Sequence, residues 1–285
     1  MNQQHTLGAA VDFSGVGLHS GAPAHVRVEP QPAGSGLSFS LSDGDVVFPA
    51  HAEYVVDTQR ATVLGIGDIT VSTVEHLLSA LFAVGIDNAR IDVTGPEIPI
   101  LDGSSATFAA AFTRAGIHRQ DAPRAVFTLE RPYVFTEGDA MLVVAPADAF
   151  RLRFAVEFAP PIGAQYFDTS LEPGAYAREI APARTFGYLH EVEALRAAGL
   201  ARGGSLDNAL VFAPDGPLTP LRWPNEVVRH KVLDLIGDFA LLGAWPQCDI
   251  LTVKSGHRLH ARATAQLRNV GRIAHGDAAF AVKGS

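Results

Sequence analysis

Apolar and polar positions alternate in two registers along the chain, and each register appears twice. Over the first 120 residues or so, short β-like runs alternate with Gly- and Pro-containing turns, and helical runs follow at 73–84 and about 104–115. The stretch His118-Arg119-Gln120-Asp121-Ala122-Pro123-Arg124 is polar and contains a proline, which reads as a linker. The pattern then repeats. β-like runs around 126–157 precede helical runs at about 187–198 and 224–242, then a strand at 249–254 and a closing helix at about 258–269. Each half supplies strands, a helix with a prominent His, a strand and a last helix. This predicts an α+β chain of two similar domains, 1–120 and 124–285, each a layered unit of sheet and helix.

The helical run near the C-terminus carries the most information. At roughly 100° per residue, His230, Asp234 and Asp238 fall within an arc of about 80°. Lys231 lies at the edge of that arc, and Val232, Leu233, Leu235, Ile236, Phe239 and Ala240 fill most of the opposite side. A His and two carboxylates at i, i+4 and i+8 can bring an imidazole and a carboxylate to one metal ion. The same stripe is equally a solvated face with an incidental His. A second helix, Thr73 to Val84, reads as capped by Ser72 with Glu75 in the capping-box position and stopped by Gly85. Its remainder is apolar or small, so burial is expected. Alone, it makes Glu75 a capping acid and His76 a core histidine. A third segment runs from Asp249 as a β-rich stretch, breaks at Ser255-Gly256 and delivers His257, as a functional loop or an ordinary turn would.

Composition narrows the classes. With 285 residues, 47% hydrophobic and 18% charged, the chain is of ordinary globular type and long enough for two domains. No apolar run approaches the ~18 residues of a membrane span, and Met1-Asn2-Gln3-Gln4-His5 lacks the basic and apolar regions of a signal peptide. A single cysteine, Cys248, fits a reducing cytoplasm and excludes a thiolate-rich zinc site, leaving His and carboxylate as ligands. A net charge of −8 argues against a nucleic-acid surface. An anionic substrate would need local cations, Lys231 and Lys254 first.

Seven stretches carry a resemblance: Ser14-Gly15-Val16-Gly17-Leu18-His19-Ser20-Gly21, Thr73-Val74-Glu75-His76-Leu77, Gly95-Pro96-Glu97-Ile98-Pro99-Ile100-Leu101-Asp102-Gly103-Ser104, Ala183-Arg184-Thr185-Phe186-Gly187, Gly203-Gly204-Ser205-Leu206-Asp207-Asn208, Arg229-His230-Lys231 through Gly237-Asp238, and Lys254-Ser255-Gly256-His257. In this order they resemble the zinc-dependent UDP-3-O-acyl-N-acetylglucosamine deacetylases of lipid A biosynthesis, over about residues 5 to 260. The resemblance implies helices sandwiched between two sheets and an active site at the domain junction. It implies an insert at about 187–222 that helps form an apolar passage for an acyl chain, and a smaller insert around 43–66 bordering the cleft.

It also implies roles. His76, His230 and Asp234 would hold Zn2+, and Glu75 would act as general base. His257 would stabilise the oxyanion and protonate the amine, Asp238 would hold His257 charged, and Thr185 would donate to the same oxyanion. Lys231, and with it Phe186, Lys254 and His19, would contact substrate. The other histidines (5, 25, 51, 118, 190, 260 and 275) read as incidental. The chain departs from the family at Arg258-Leu259-His260, where many relatives carry small or amide residues, which bears on the nucleotide contact rather than the chemistry.

The chemistry suits these residue types. A zinc ion with three protein ligands keeps a position open for water and lowers that water's pKa to about 7. The expected protein is a cytoplasmic hydrolase taking a small nucleotide-sugar lipid, with no integral membrane segment and no obligate protein partner inferred. Two alternatives stand beside it: a zinc deacetylase of another N-acetyl sugar, and a metal-stabilised binding protein without turnover.

Overall fold

The computed structural model describes residues 3–41, 44–172 and 174–275. Two five-stranded sheets dominate it. The first orders its strands Val11–Val16, Pro23–Pro30, Ala89–Thr94, Leu37–Leu41 and Val46–Pro49. The second orders Tyr133–Glu137, Ala140–Pro146, Cys248–Val253, Arg151–Glu157 and Ala164–Ser170. Numbered along the chain, both read first, second, fifth, third, fourth. In both, the central strand is antiparallel to the second and parallel to the third. The repeat visible in the sequence is thus a repeat of topology, and the chain is α+β.

Six α-helices accompany the sheets among the described residues: α1 (Glu75–Val84), α2 (Ala106–Ala115), α3 (Ala175–Glu179), α4 (Val192–Ala197), α5 (Glu226–Ala240) and α6 (His257–Val270). Helix α1 is buried on all sides from Glu75 to Phe82, and α5 is buried at nearly every position. A helix without a solvated face lies inside the molecule. The two pack on each other, and α5 also contacts the strands Arg151–Glu157 and Ala164–Ser170. Gly237 permits the crossing: a Cβ there would lie 2.1 Å from the Glu75 carbonyl oxygen, so only glycine allows the backbones this close. One apolar core draws on both sheets and both helices, from Val26 and Phe39 to Leu142 and Phe154. No helix among the described residues is long and apolar enough to cross a membrane.

Several expected elements differ. The polar run read as a linker is a strand, Ile117–Pro123, antiparallel to Gln3–Leu7. Ile117–Pro123 leaves most of its side chains in solvent, so no apolar alternation marks it. The run at 187–198 is not one helix. Phe186–Tyr188 pairs with Leu210–Ala213 as a strand, a 3-10 turn spans Leu189–Glu191, and only 192–197 is α-helical. A separate cluster of Ile162, Tyr188, Leu210, Phe212 and Val227 anchors this region.

Candidate active site

The capping box does not form. Helix α1 begins at Glu75, after Val74, without a side-chain cap. Thr73 stands at a φ of +60°, left-handed backbone that a β-branched residue adopts only under constraint. That constraint is visible: its hydroxyl donates to Glu97 Oε1 at 2.8 Å, and Glu97 also accepts from the His19 and Ser20 backbone N–H groups. The turn frees Glu75 from capping and aims it, with His76, at the polar stripe of α5.

Glu75, His76, His230, Asp234 and Asp238 are all between 1% and 3% exposed. His230 Nε2 lies 3.3 Å and His76 Nε2 3.8 Å from Asp234 Oδ1. His230 Nδ1 faces the Ala183 carbonyl at 3.0 Å. A carbonyl only accepts, so the ring proton sits on Nδ1 and Nε2 presents a lone pair. Lys231 Nζ occupies the other Asp234 oxygen at 2.6 Å. Asp234 Oδ1 is therefore a buried anionic oxygen with no hydrogen-bond partner among the described residues, and it is faced by the His230 Nε2 lone pair and by His76 Nε2, whose ring also lacks a partner at Nδ1. Buried polar atoms are normally satisfied; a cation at this point would satisfy all three. Protonation states agree with ligand chemistry, which requires neutral His and ionised carboxylate. Burial, reinforced by His230, pushes His76 down to about 3, and burial lowers His230 too. Burial alone would raise Asp234, but His230 and Lys231 hold it far below the usual carboxylate range.

A second group adjoins these. His257, the first residue of α6, places Nδ1 2.9 Å from Asp238 Oδ2 and Nε2 3.7 Å from Asp234 Oδ2. Burial draws the His257 imidazole down, but the charge and hydrogen bond of Asp238 lift it to about 9. Asp238, which burial would raise, is brought to about 2 by the His257 charge and by hydrogen bonds from His257 and His260. Burial pushes Glu75 up to about 8 against the pull of His257. A cavity of about 420 Å³ opens over both groups, with His19, Arg60, Thr185, Phe186, Lys254 and Arg258 on its walls.

The chain matches the model of the UDP-3-O-acyl N-acetylglycosamine deacetylase family over residues 4–269. The chain belongs to this family. A UDP-3-O-acyl-N-acetylglucosamine deacetylase from Nostoc sp. is 45% identical over 275 residues, covering 93% of this chain and 98% of the relative. Enzymes of the same name from Anaeromyxobacter sp. and Myxococcus xanthus are 46% and 45% identical, over 90% of this chain and 86% and 83% of theirs.

In this member of the deacetylase family, every residue expected at the site touches the cavity or one that does. His76, His230, Asp234, Glu75, His257, Thr185, Lys231, Phe186, Lys254 and His19 all line it, and Asp238 stands behind His257. Lys254 is engaged by Asp139 and by Glu157 at the rim. His260, read as incidental, is fully buried, with Nδ1 2.8 Å from Asp238 Oδ2 and Nε2 2.7 Å from Ser255 Oγ. The sequence held a signal for it: His257 and His260 are i and i+3 on one helix and share a face. Glu226 went unmarked as well. It is fully buried, receives the Arg184 guanidinium and backbone N–H, and so fixes the segment that supplies Thr185 and the Ala183 carbonyl.

Proposed function

We propose that this chain is a zinc-dependent hydrolase that removes the acetyl group of UDP-3-O-acyl-N-acetylglucosamine, releasing acetate and the free amine, the committed step of lipid A biosynthesis. The observation that carries the metal reading is the unpartnered, buried Asp234 Oδ1 faced by the Nε2 atoms of His76 and His230. These three residues would hold the ion, which, when bound, polarises the acetamide carbonyl and acidifies a water.

The chain's own groups divide the proton work. Glu75 Oε2 accepts the Thr62 backbone N–H at 3.1 Å, leaving Oε1 to take a proton from the attacking water. Water adds to the carbonyl carbon, and the C–N bond then breaks. His257 commits Nδ1 to Asp238, so its Nε2–H is the proton available first to the oxyanion and then to the departing amine nitrogen. Thr185 donates its hydroxyl to the same oxyanion. Lys231 and Lys254 meet the polar head and diphosphate, with His19 beside them.

For the acyl chain, Phe186 and Phe158 on the cavity wall pack edge to face and continue into the apolar cluster of Tyr188, Leu210 and Phe212. That continuity supports a passage formed by the 187–222 insert. Each buried methylene contributes about 0.8 kcal/mol, so a chain of ten carbons or more is a large share of recognition. The two topological repeats support units at 1–120 and 124–285, with the site between them; a cytoplasmic location goes with this role.

The test compares kcat/KM for acylated and unacylated UDP-N-acetylglucosamine. A fall of orders of magnitude without the acyl chain is expected, and Leu195→Glu or Leu200→Glu should impair only the acylated substrate. Comparable turnover of both substrates would instead favour a general N-acetyl-sugar deacetylase.

A further inference from the structure

Thr62 belongs to none of the seven motifs, yet it touches both halves of the proton machinery. It is fully buried and immediately precedes the strand Val63–Ile66. Its backbone N–H donates to Glu75 Oε2 at 3.1 Å. Its hydroxyl donates to Asp238 Oδ1 at 2.5 Å, and the same oxygen lies 3.2 Å from His257 Nδ1. A hydroxyl has one proton and two lone pairs. With the proton on Asp238, a lone pair is left to face the Nδ1–H that His257 shares between Asp238 Oδ2 and Thr62. One side chain thereby fixes which Asp238 oxygen meets the imidazole, and its backbone fixes which Glu75 oxygen stays free.

We infer that Thr62 is a positioning residue that holds the general base Glu75 and the Asp238–His257 pair in one mutual geometry. The two groups act at successive moments on the same carbonyl, so their spacing must be set before substrate arrives. Thr62 joins the segment holding Thr58 and Arg60, which line the cavity, to the strand Val63–Ile66. The residue thus connects the rim of the cleft to its floor. This inference rests on the deacetylase reading above.

The experiment compares wild type, Thr62→Val and Thr62→Ser for kcat, KM and zinc content with acylated UDP-N-acetylglucosamine. Valine keeps the shape and the backbone donor but loses the hydroxyl. Outer-shell partners of this kind are typically worth about 10–100-fold, so kcat should fall by that factor while KM and zinc content hold. Thr62→Ser should recover most of the loss. In zinc-free protein, the His257 Nδ1 proton should exchange faster in Thr62→Val than in wild type. If Thr62→Val does not fold, Thr62→Cys, a weaker donor of similar size, should give an intermediate kcat. Wild-type kcat in the Val or Cys variant, a loss that tracks zinc content, or a Ser variant as poor as Val would each overturn the role. A wild-type enzyme without turnover would sink the deacetylase reading itself, and this inference with it.

Discussion

Helices α1 and α5 hold matching places in the two repeats, each leading into the central strand of its sheet, yet they carry their chemistry differently. On α5, His230, Asp234 and Asp238 are spread along one face over two turns, in a 15-residue helix. On α1, Glu75 and His76 are confined to the first turn, and the remaining residues are apolar or small. The period of the helix aims the α5 groups. The turn before the helix aims those of α1: Thr73 in left-handed backbone, tied down by Glu97. Equivalent scaffolds thus place the polar groups of the cavity by periodicity in one case and by a constrained helix start in the other.

Breaking the α1 side should have the largest effect on chemistry. On the proposed roles, Glu75→Gln removes the base but no metal ligand, so kcat should fall by about 10²–10⁴ with zinc content unchanged. If Glu75→Gln also loses zinc, the residue is a ligand, and the division of labour between the two helices fails.

On the α5 side, Asp238→Asn should cost about 10–100-fold in kcat and move the pH profile. In the proposed role His257 acts protonated, so activity should fall as pH rises through its folded pKa, lifted to about 9 by Asp238. Removing that carboxylate lowers the pKa, and the basic limb of kcat/KM should shift to lower pH. An unmoved limb would assign it to another group.

The crossing point tests whether the two helices are one unit. Gly237→Ala drives a Cβ into the Glu75 carbonyl; overpacking of this kind costs about 1–3 kcal/mol. Thermal melting should show that loss together with weaker zinc retention. A stable variant with normal zinc content would mean that the close approach is incidental.

The same contrast explains what the sequence made legible. Positions set by a period could be read: the α5 stripe, the alternating strands and the repeated succession of strands and helices all follow from spacing. The direction of Glu75 could not, because neighbouring helical positions diverge by ~100° and the left-handed Thr73 leaves no mark in composition. The strand Ile117–Pro123 escaped notice because both its faces are largely solvated, and Thr62 because a lone buried Thr has no pattern. Only the family's motifs, taken in order, placed Thr185 and His19 near the chemistry, and the structure puts both on the cavity wall.

The central claim is that His76, His230 and Asp234 hold the zinc on which amide hydrolysis depends. Metal content and turnover measured on the same sample, before chelation, after chelation and after stoichiometric zinc is restored, test it directly. The account predicts about one zinc per chain, turnover lost on removal and regained on replacement, and low zinc content in His76→Ala and His230→Ala. Full turnover by protein shown to be free of metal would contradict it.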